Sequence, residues 1–225
     1  MNLVFLGPPG AGKGTQTQRL IENYNMFALS TGDLLRQAVK NETKLGLEAK
    51  SYMDKGSLVP DTLMIRLIEE KLDNLGDNKS VIFDGFPRTI AQAEALDELL
   101  LSKGQQIDVV LEIIVDESDL IKRITGRYIC NTCNSTYHEE FNPTVQEGVC
   151  DYCKGTQFFK RSDDKAETLL KRLSLYNEEK NKIKPFYEEK KILYVVDGSE
   201  SKEDVAHNID EILQRETLTY QAIKV

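Results

Sequence analysis

The chain has 225 residues, with 29 Lys or Arg against 37 Asp or Glu, a net charge of −8 and a pI of about 5.0. Its 40% hydrophobic and 29% charged residues make an ordinary globular mixture, long enough for one full core with inserted pieces. The acidic balance argues against non-specific nucleic-acid binding, which needs a basic face. No apolar stretch reaches membrane-spanning length, and the start lacks the basic and apolar regions of a secretory leader. A cytoplasmic protein without nucleic-acid or membrane partners is therefore expected.

The first apolar run, Leu3-Val4-Phe5-Leu6, predicts a buried strand and leads into Gly7-Pro8-Pro9-Gly10-Ala11-Gly12-Lys13-Gly14-Thr15. A helical segment follows. Strand, glycine-rich loop and helix start in that order make a phosphate cradle: loop N–H groups converge on an anion, the helix N-terminus adds positive potential, and Lys13 reaches the outer phosphates. Gly14 separates Lys13 from the Thr15 hydroxyl, a variant that points to one subgroup of phosphate-binding proteins.

A second strand is predicted at residues 26–29. The helical pieces in residues 30–59 are too many for a simple connection and indicate an insertion. Asp61 is an N-cap candidate for a helix carrying Leu63, Met64, Leu67, Ile68 and Leu72 at helical spacing. Residues 81–83 form a third apolar strand ending in Asp84. In a parallel sheet the carboxyl ends face the ligand crevice, so Asp84 can hold Mg²⁺ or its waters beside the phosphate loop. Alternatively it only starts the turn at Gly85. Thr89-Ile90-Ala91-Gln92 reads as a capping box before another helix.

Residues 109–115 predict a fourth strand and residues 192–196 a fifth. Between them, Arg123 and Arg127 share one face if helix continues that far. Residues 127–164 have little helical period and hold all four cysteines, in Cys130-Asn131-Thr132-Cys133 and Cys150-Asp151-Tyr152-Cys153. Two such knuckles imply a tetrahedral four-thiolate site, typical of structural Zn²⁺, with iron the rival metal. Three basic residues against four acidic ones from Arg127 to Lys160 make a nucleic-acid-reading zinc segment a poor fit. His138 has no place in a completed ligand set, and His207 is expected in solvent. The last residues, 217–225, are expected to follow the final helix and fray.

Alternation of continuous apolar strands with helices predicts a three-layer α/β fold around a five-stranded parallel sheet. The core comprises residues 1–29, 60–126 and 165–225, with insertions at 30–59 and 127–164.

In these motifs the chain resembles the adenylate kinases, in the bacterial form with a long zinc-bearing lid. The resemblance runs from Met1 to about Leu213. It rests on the 7–15 loop, Ser30-Thr31-Gly32-Asp33, Asp84-Gly85-Phe86-Pro87-Arg88-Thr89, the segment from Leu120 to Arg127, the cysteine knuckles and Arg161-Ser162-Asp163-Asp164. It implies the P-loop nucleoside monophosphate kinase fold, a monomer, and reversible transfer of the γ-phosphoryl of Mg-ATP to AMP, giving two ADP. The 30–59 insertion would bind AMP and the 127–164 segment would be the lid.

By that resemblance Gly10, Ala11, Gly12, Lys13, Gly14, Thr15, Arg127, Thr136, Tyr137 and Glu200 meet ATP. Thr31, Arg36, Ser57, Leu58, Val59, Gly85, Phe86, Pro87, Arg88, Gln92, Arg161 and Arg172 meet AMP. Lys13, Arg88, Arg123, Arg161 and Arg172 surround the transferred group, and Asp84 anchors hydrated Mg²⁺. Thr31 and Gln92 have purely structural readings as well, as a helix cap and a capping-box member. Tyr128, Ala28 and Cys153 depart from residues common in relatives without touching the arginines. The rivals are a kinase of the same fold for another monophosphate or using GTP, and a P-loop switch with a zinc ribbon as docking surface.

Overall fold

Residues 3–5 and 109–111 are apolar without alternation, and each of those side chains is fully shielded because both faces of the sheet are covered. The computed structural model describes residues 1–55, 57–75 and 79–223, side chains beyond 217 excepted. In chain order it contains β1 (Asn2–Leu6), α1 (Lys13–Tyr24), β2 (Phe27–Ser30), α2 (Thr31–Lys40), α3 (Lys44–Asp54) and α4 (Asp61–Leu75). There follow β3 (Val81–Asp84), α5 (Ile90–Ser102), β4 (Val109–Ile114), α6 (Glu117–Thr125), β5 (Arg127–Cys130) and β6 (Thr136–His138). The remainder is β7 (Phe158–Phe159), α7 (Ala166–Glu189), β8 (Leu193–Asp197) and α8 (Lys202–Ile223).

The main sheet is parallel, in the order β2-β3-β1-β4-β8. One face buries Val4, Val81, Phe83 and Val110 under α4, α5 and the end of α7, with Tyr187 and Ile183. The other buries Leu3, Phe5, Ile82, Leu111 and Ile113 under α1, α6, α8 and the start of α7, with Leu169 and Leu173. Alternate residues of each strand thus feed opposite layers, each large apolar side chain contributing about 1.5–3 kcal/mol by leaving water. α7 spans both layers and is tied to the sheet at the buried Glu112, whose carboxylate meets Lys180 Nζ at 2.6 Å and Lys184 Nζ at 3.3 Å.

Register carries the carboxyl edge to the site: Phe5 pairs with Asp84 and Ser30 with Asp84, so β1, β2 and β3 end together. Residues 127–159 make a separate three-stranded antiparallel sheet, β6-β5-β7. Its core is only Cys130, Tyr137 and Cys150, with Tyr128 and Phe158 against them. Tyr128 stacks on Tyr137, and Phe158 sets its edge to both. A core this small needs a further constraint.

Four local expectations are corrected. Asp61 is the first residue of α4 rather than its cap, because Pro60 O accepts from Leu63 N and the helix starts at the proline's exit. Thr31 lies inside α2, where Ser30 is the N-cap. α6 stops at Thr125 and turns at Gly126, so Arg123 and Arg127 share no helix face. The final helix continues through Thr217 to Ile223, and residues 224–225 lie outside the described residues.

Candidate active site

The phosphate loop is shaped by Gly10 and Gly12, whose φ values of +89° and +94° are costly for any residue with a Cβ. They turn the chain from β1 directly into α1. Gly12 offers no side-chain cap, which leaves the helix N-terminus facing the cleft as an anion site. Lys13 Nζ folds back to donate to Gly7 O at 2.8 Å and Pro8 O at 2.9 Å. Burial lowers the Lys13 ammonium to a pKa of about 8; Asp84 pulls it upward, and Arg88, Arg172 and Arg127 push it further down. Burial likewise pushes the Asp84 carboxyl above the usual carboxylate range, against the pull of Lys13.

Six arginines, from α2, the turn after β3, α6, β5, the 161–164 segment and α7, meet across this cleft. Arg36 and Arg161 share Asp33 Oδ1, at 2.6 Å and 3.1 Å, although they are far apart in sequence. Arg172 donates to Asp163 at 2.8 Å, and Arg127 makes a fork to Asp164. Burial draws Arg88 down to about 10, helped by Arg172, and Arg161 down to about 10, helped by Arg36 and Arg127. Despite their own burial, the Asp33 and Asp163 carboxyls are held below the ordinary range, chiefly by Arg36 and Arg172 respectively. Arg123 lines the same cleft, and its side chain makes no hydrogen bond or ion pair among the described residues. So many cations crowded together are costly unless anions sit among them, and the aspartates meet part of that demand.

On the β2–β3 side, Thr31 Oγ1 donates to Gly85 O at 3.0 Å and Arg88 Nε donates to the same carbonyl at 2.7 Å. The Thr31 hydroxyl is thus engaged across strands rather than on its own helix. Thr89 Oγ1 accepts from Gln92 N, which is half of the expected capping box. The other half is redirected: Gln92 Oε1 accepts from Arg88 N at 2.8 Å, and Gln92 Nε2 donates to Asp61 Oδ1 at 2.6 Å.

In the small sheet the four cysteine sulfurs lie within 4.8 Å of one another, with Cys130–Cys153 and Cys133–Cys150 each at 3.5 Å. Metal–sulfur bonds of about 2.3 Å in a tetrahedron put sulfurs about 3.8 Å apart, so the set fits a structural Zn²⁺. Burial opposes ionisation of Cys150, but the backbone N–H of Cys153 and the Tyr137 hydroxyl hold its thiol down at about 6, ready to ligate as thiolate. Tyr137 Oη stands 3.3 Å from Cys150 Sγ and accepts from Asp151 N. His138 takes no part: Nε2 donates to Lys122 O, and Nδ1 accepts from Glu140 N and Phe141 N.

Loop, arginines, β3 turn and small sheet line one continuous cavity of about 1800 Å³, too large for a single small ligand and roomy enough for two nucleotides. The adenylate kinase family model matches residues 5–192. The chain belongs to the adenylate kinase family. It is 50% identical over 214 residues to the adenylate kinase of Zymomonas mobilis subsp. mobilis, covering 95% of this chain and 96% of that one. It is 46% identical to the Enterococcus faecalis adenylate kinase over 95% of this chain and 99% of the relative. The Archaeoglobus fulgidus adenylate kinase is also 46% identical, over 96% and 99%.

Within this adenylate kinase cavity lie all the expected nucleotide-facing residues except Pro87: residues 10–15, Thr31, Arg36, residues 57–59, Asp84, Gly85, Phe86, Arg88, Gln92, Arg123, Arg127, Thr136, Tyr137, Arg161, Arg172 and Glu200. Tyr137 lines the cavity while 2% exposed, and its hydroxyl is held at the cysteine cluster. Sequence reasoning misses the pairing of Asp33, Asp163 and Asp164 with the cleft arginines. Each stands inside a quoted motif, and the available signal is an aspartate close in sequence to an arginine. Asp61 reads from sequence only as a cap.

Proposed function

We propose that the cavity is a two-substrate site in which ATP lies on the phosphate-loop and small-sheet side and AMP on the β2–β3 side. The reaction, that of the adenylate kinase family, is reversible transfer of the γ-phosphoryl of Mg-ATP to AMP, giving two ADP. The carrying observation is the meeting of Lys13, Arg36, Arg88, Arg123, Arg127, Arg161 and Arg172, drawn from separate segments, around one cavity.

An AMP phosphate oxygen attacks the γ-phosphorus, and the β–γ bridging oxygen leaves with the bond electrons. Catalysis is then mostly positioning and charge stabilisation. Lys13 and the residue 10–15 backbone hold the donor phosphates; Arg36 and Arg88 hold the AMP phosphate. Arg123, Arg161 and Arg172 neutralise the oxygens of the group in flight. Thr15 and Asp84 would hold Mg²⁺, which supplies charge neutralisation and orientation of the polyphosphate. Thr136, the Tyr137 backbone, Arg127 and Glu200 border the donor base and ribose. Gln92, Thr31, Gly85, Phe86 and Ser57-Leu58-Val59 border the acceptor nucleoside, with Pro87 shaping the turn from behind.

We also assign residues 1–29, 60–126 and 165–225 to a fixed core, 30–59 to an AMP-binding insertion and 127–164 to a zinc-stapled lid. The separate small sheet and its minimal core support this division. Lid closure, for which adenylate kinases are a standard example, brings the arginines together and keeps water from the γ-phosphoryl. A monomer in the cytoplasm fits the clustered thiols, and no helix of the described residues is long and apolar enough to cross a membrane. The acidic chain favours no nucleic-acid partner.

The test is a panel of nucleoside monophosphates with ATP or GTP, products separated by chromatography. Stoichiometric ADP from AMP and ATP is expected. Another preferred monophosphate, or GTP as preferred donor, would overturn the base assignment, and no diphosphate from any pair would overturn the transfer reaction.

A further inference from the structure

Gln92 is 2% exposed, yet it borders the acceptor side of the cavity. Its two amide atoms face partners with fixed roles. Oε1 meets the N–H of Arg88, which can only donate, and Nε2 meets the carboxylate of Asp61, which in its ionised form only accepts. Flipping the amide would set N–H against N–H and oxygen against carboxylate, losing both bonds at once. The second Asp61 oxygen is itself fixed: Oδ2 accepts from Thr89 Oγ1 at 2.9 Å, and that hydroxyl in turn accepts from Gln92 N. Asp61 therefore acts on Gln92 directly and through Thr89. It does not itself line the cavity.

We propose that Asp61 is a specificity-determining positioning residue, which locks the Gln92 amide in the single orientation that favours a 6-aminopurine over a 6-oxopurine acceptor. The proposal rests on the reading of Gln92 as the residue facing the acceptor base. Each Gln92 amide atom keeps one further hydrogen-bonding capacity: Nε2 a second hydrogen, Oε1 a second lone pair. Adenine offers an acceptor at N1 and a donor at N6, which this orientation matches. A 6-oxopurine offers a donor at N1 and an acceptor at O6, the reverse order, and fits only a flipped amide. Without the Asp61 carboxylate only the Arg88 N–H would still hold the amide, so the glutamine would flip at much lower cost and admit the 6-oxopurine more readily. Locked by a charged hydrogen bond, it leaves the 6-oxopurine with mismatched polar groups in a buried place, the situation in which analogues are rejected most strongly.

The experiment compares kcat/KM for AMP and IMP at saturating Mg-ATP in the full chain and in Asp61→Asn. Asparagine is isosteric and can face either orientation of Gln92, through its oxygen or its amide. The AMP-to-IMP preference is expected to fall by about tenfold or more, the scale of one lost charged hydrogen bond. The change should lie in acceptor KM, with the KM for ATP unmoved. A folded Asp61→Asn whose two acceptors lose the same factor would overturn the proposal, because that is what a merely structural residue does. Should the variant not fold, the unsubstituted chain decides by NMR. One Gln92 side-chain proton shifted downfield and slow to exchange supports the lock, and both at free-glutamine positions overturn it. Gln92→Ala separates the two levels: unchanged acceptor KM and base preference there would remove the reading of Gln92 itself, whereas a strong effect there with none in Asp61→Asn removes only the lock.

Discussion

Lys13→Met should change how stability depends on pH in a way that isolates one buried charge. Without nucleotide, Lys13 titrates at about 8 instead of the ordinary 10.5, mainly because burial disfavours its charged form. Between those values the unfolded chain binds a proton that the folded chain has released, so unfolding becomes less favourable as pH rises. Below pH 8 both states hold the proton and the contribution is flat; above 10.5 neither does. A tenfold difference in proton affinity between folded and unfolded chain is worth about 1.36 kcal/mol, giving an upper value of roughly 3 kcal/mol across the window. The residue is only partly shielded as a whole and its ammonium bonds to the Gly7 and Pro8 carbonyls, so roughly 2 kcal/mol is the expected span. Urea unfolding of both proteins at pH 7, 8, 9 and 10 gives the difference directly. The unsubstituted chain should gain on Lys13→Met as pH rises through the window. A difference that stays constant from pH 7 to 10 would refute the burial account. Asp84→Asn supplies a control: because Asp84 pulls Lys13 upward, its loss should extend the lower edge of the window to lower pH while the upper edge stays at the ordinary value. In the unsubstituted chain, donor affinity should weaken above pH 8 by up to about tenfold for each further pH unit, with calorimetry registering proton uptake on binding. Lys13→Met should remove nearly all transfer at any pH.

Two further outcomes follow from close packing and from the thiolate cluster. A Cβ at Gly46 would lie 2.1 Å from Ala38 O, so Gly46→Ala must separate α2 from α3. A cost of about 2–3 kcal/mol is expected, raising the KM for AMP well above that for ATP; equal or unchanged KM values would contradict the contact. Stripping the metal with a chelator should unfold the small sheet, since structural zinc supplies about 10–16 kcal/mol of apparent binding energy in isolated peptides and this sheet has little other core. Hydrogen exchange should accelerate across residues 127–160 while the parallel sheet stays protected, and uniform exchange would count against a local staple.

The central strands were legible because both faces are covered and leave continuous apolar runs, while the half-exposed edge strands β2 and β8 were legible from short length and their place between helical segments. The cysteine set was legible because ligand spacing is a local property. What escaped was set by partners distant in sequence. Thr31 and Asp61 look like caps to their own helices, yet Thr31 spends its hydroxyl on Gly85 and Asp61 its carboxylate on Thr89 and Gln92. Resemblance puts Tyr137 beside a nucleotide; only packing reveals that its hydroxyl is held at Cys150. The arginines were found, but their pairing with Asp33, Asp163 and Asp164 depends on how the 161–164 segment meets α2 and α7.

Those pairings give the site the character of an exchange resin. Arg36, Arg161, Arg172 and Arg127 already have counter-ions within the protein, so on the proposed function an arriving phosphate would trade places with a carboxylate rather than meet bare charge. The free energy of each new contact is reduced by that of the contact given up. Affinity is thereby kept moderate for polyanions of high charge, and the carboxylates stand ready to recapture each arginine as product departs. A reversible catalyst gains from this arrangement, because ligands held too firmly in either direction would stop turnover.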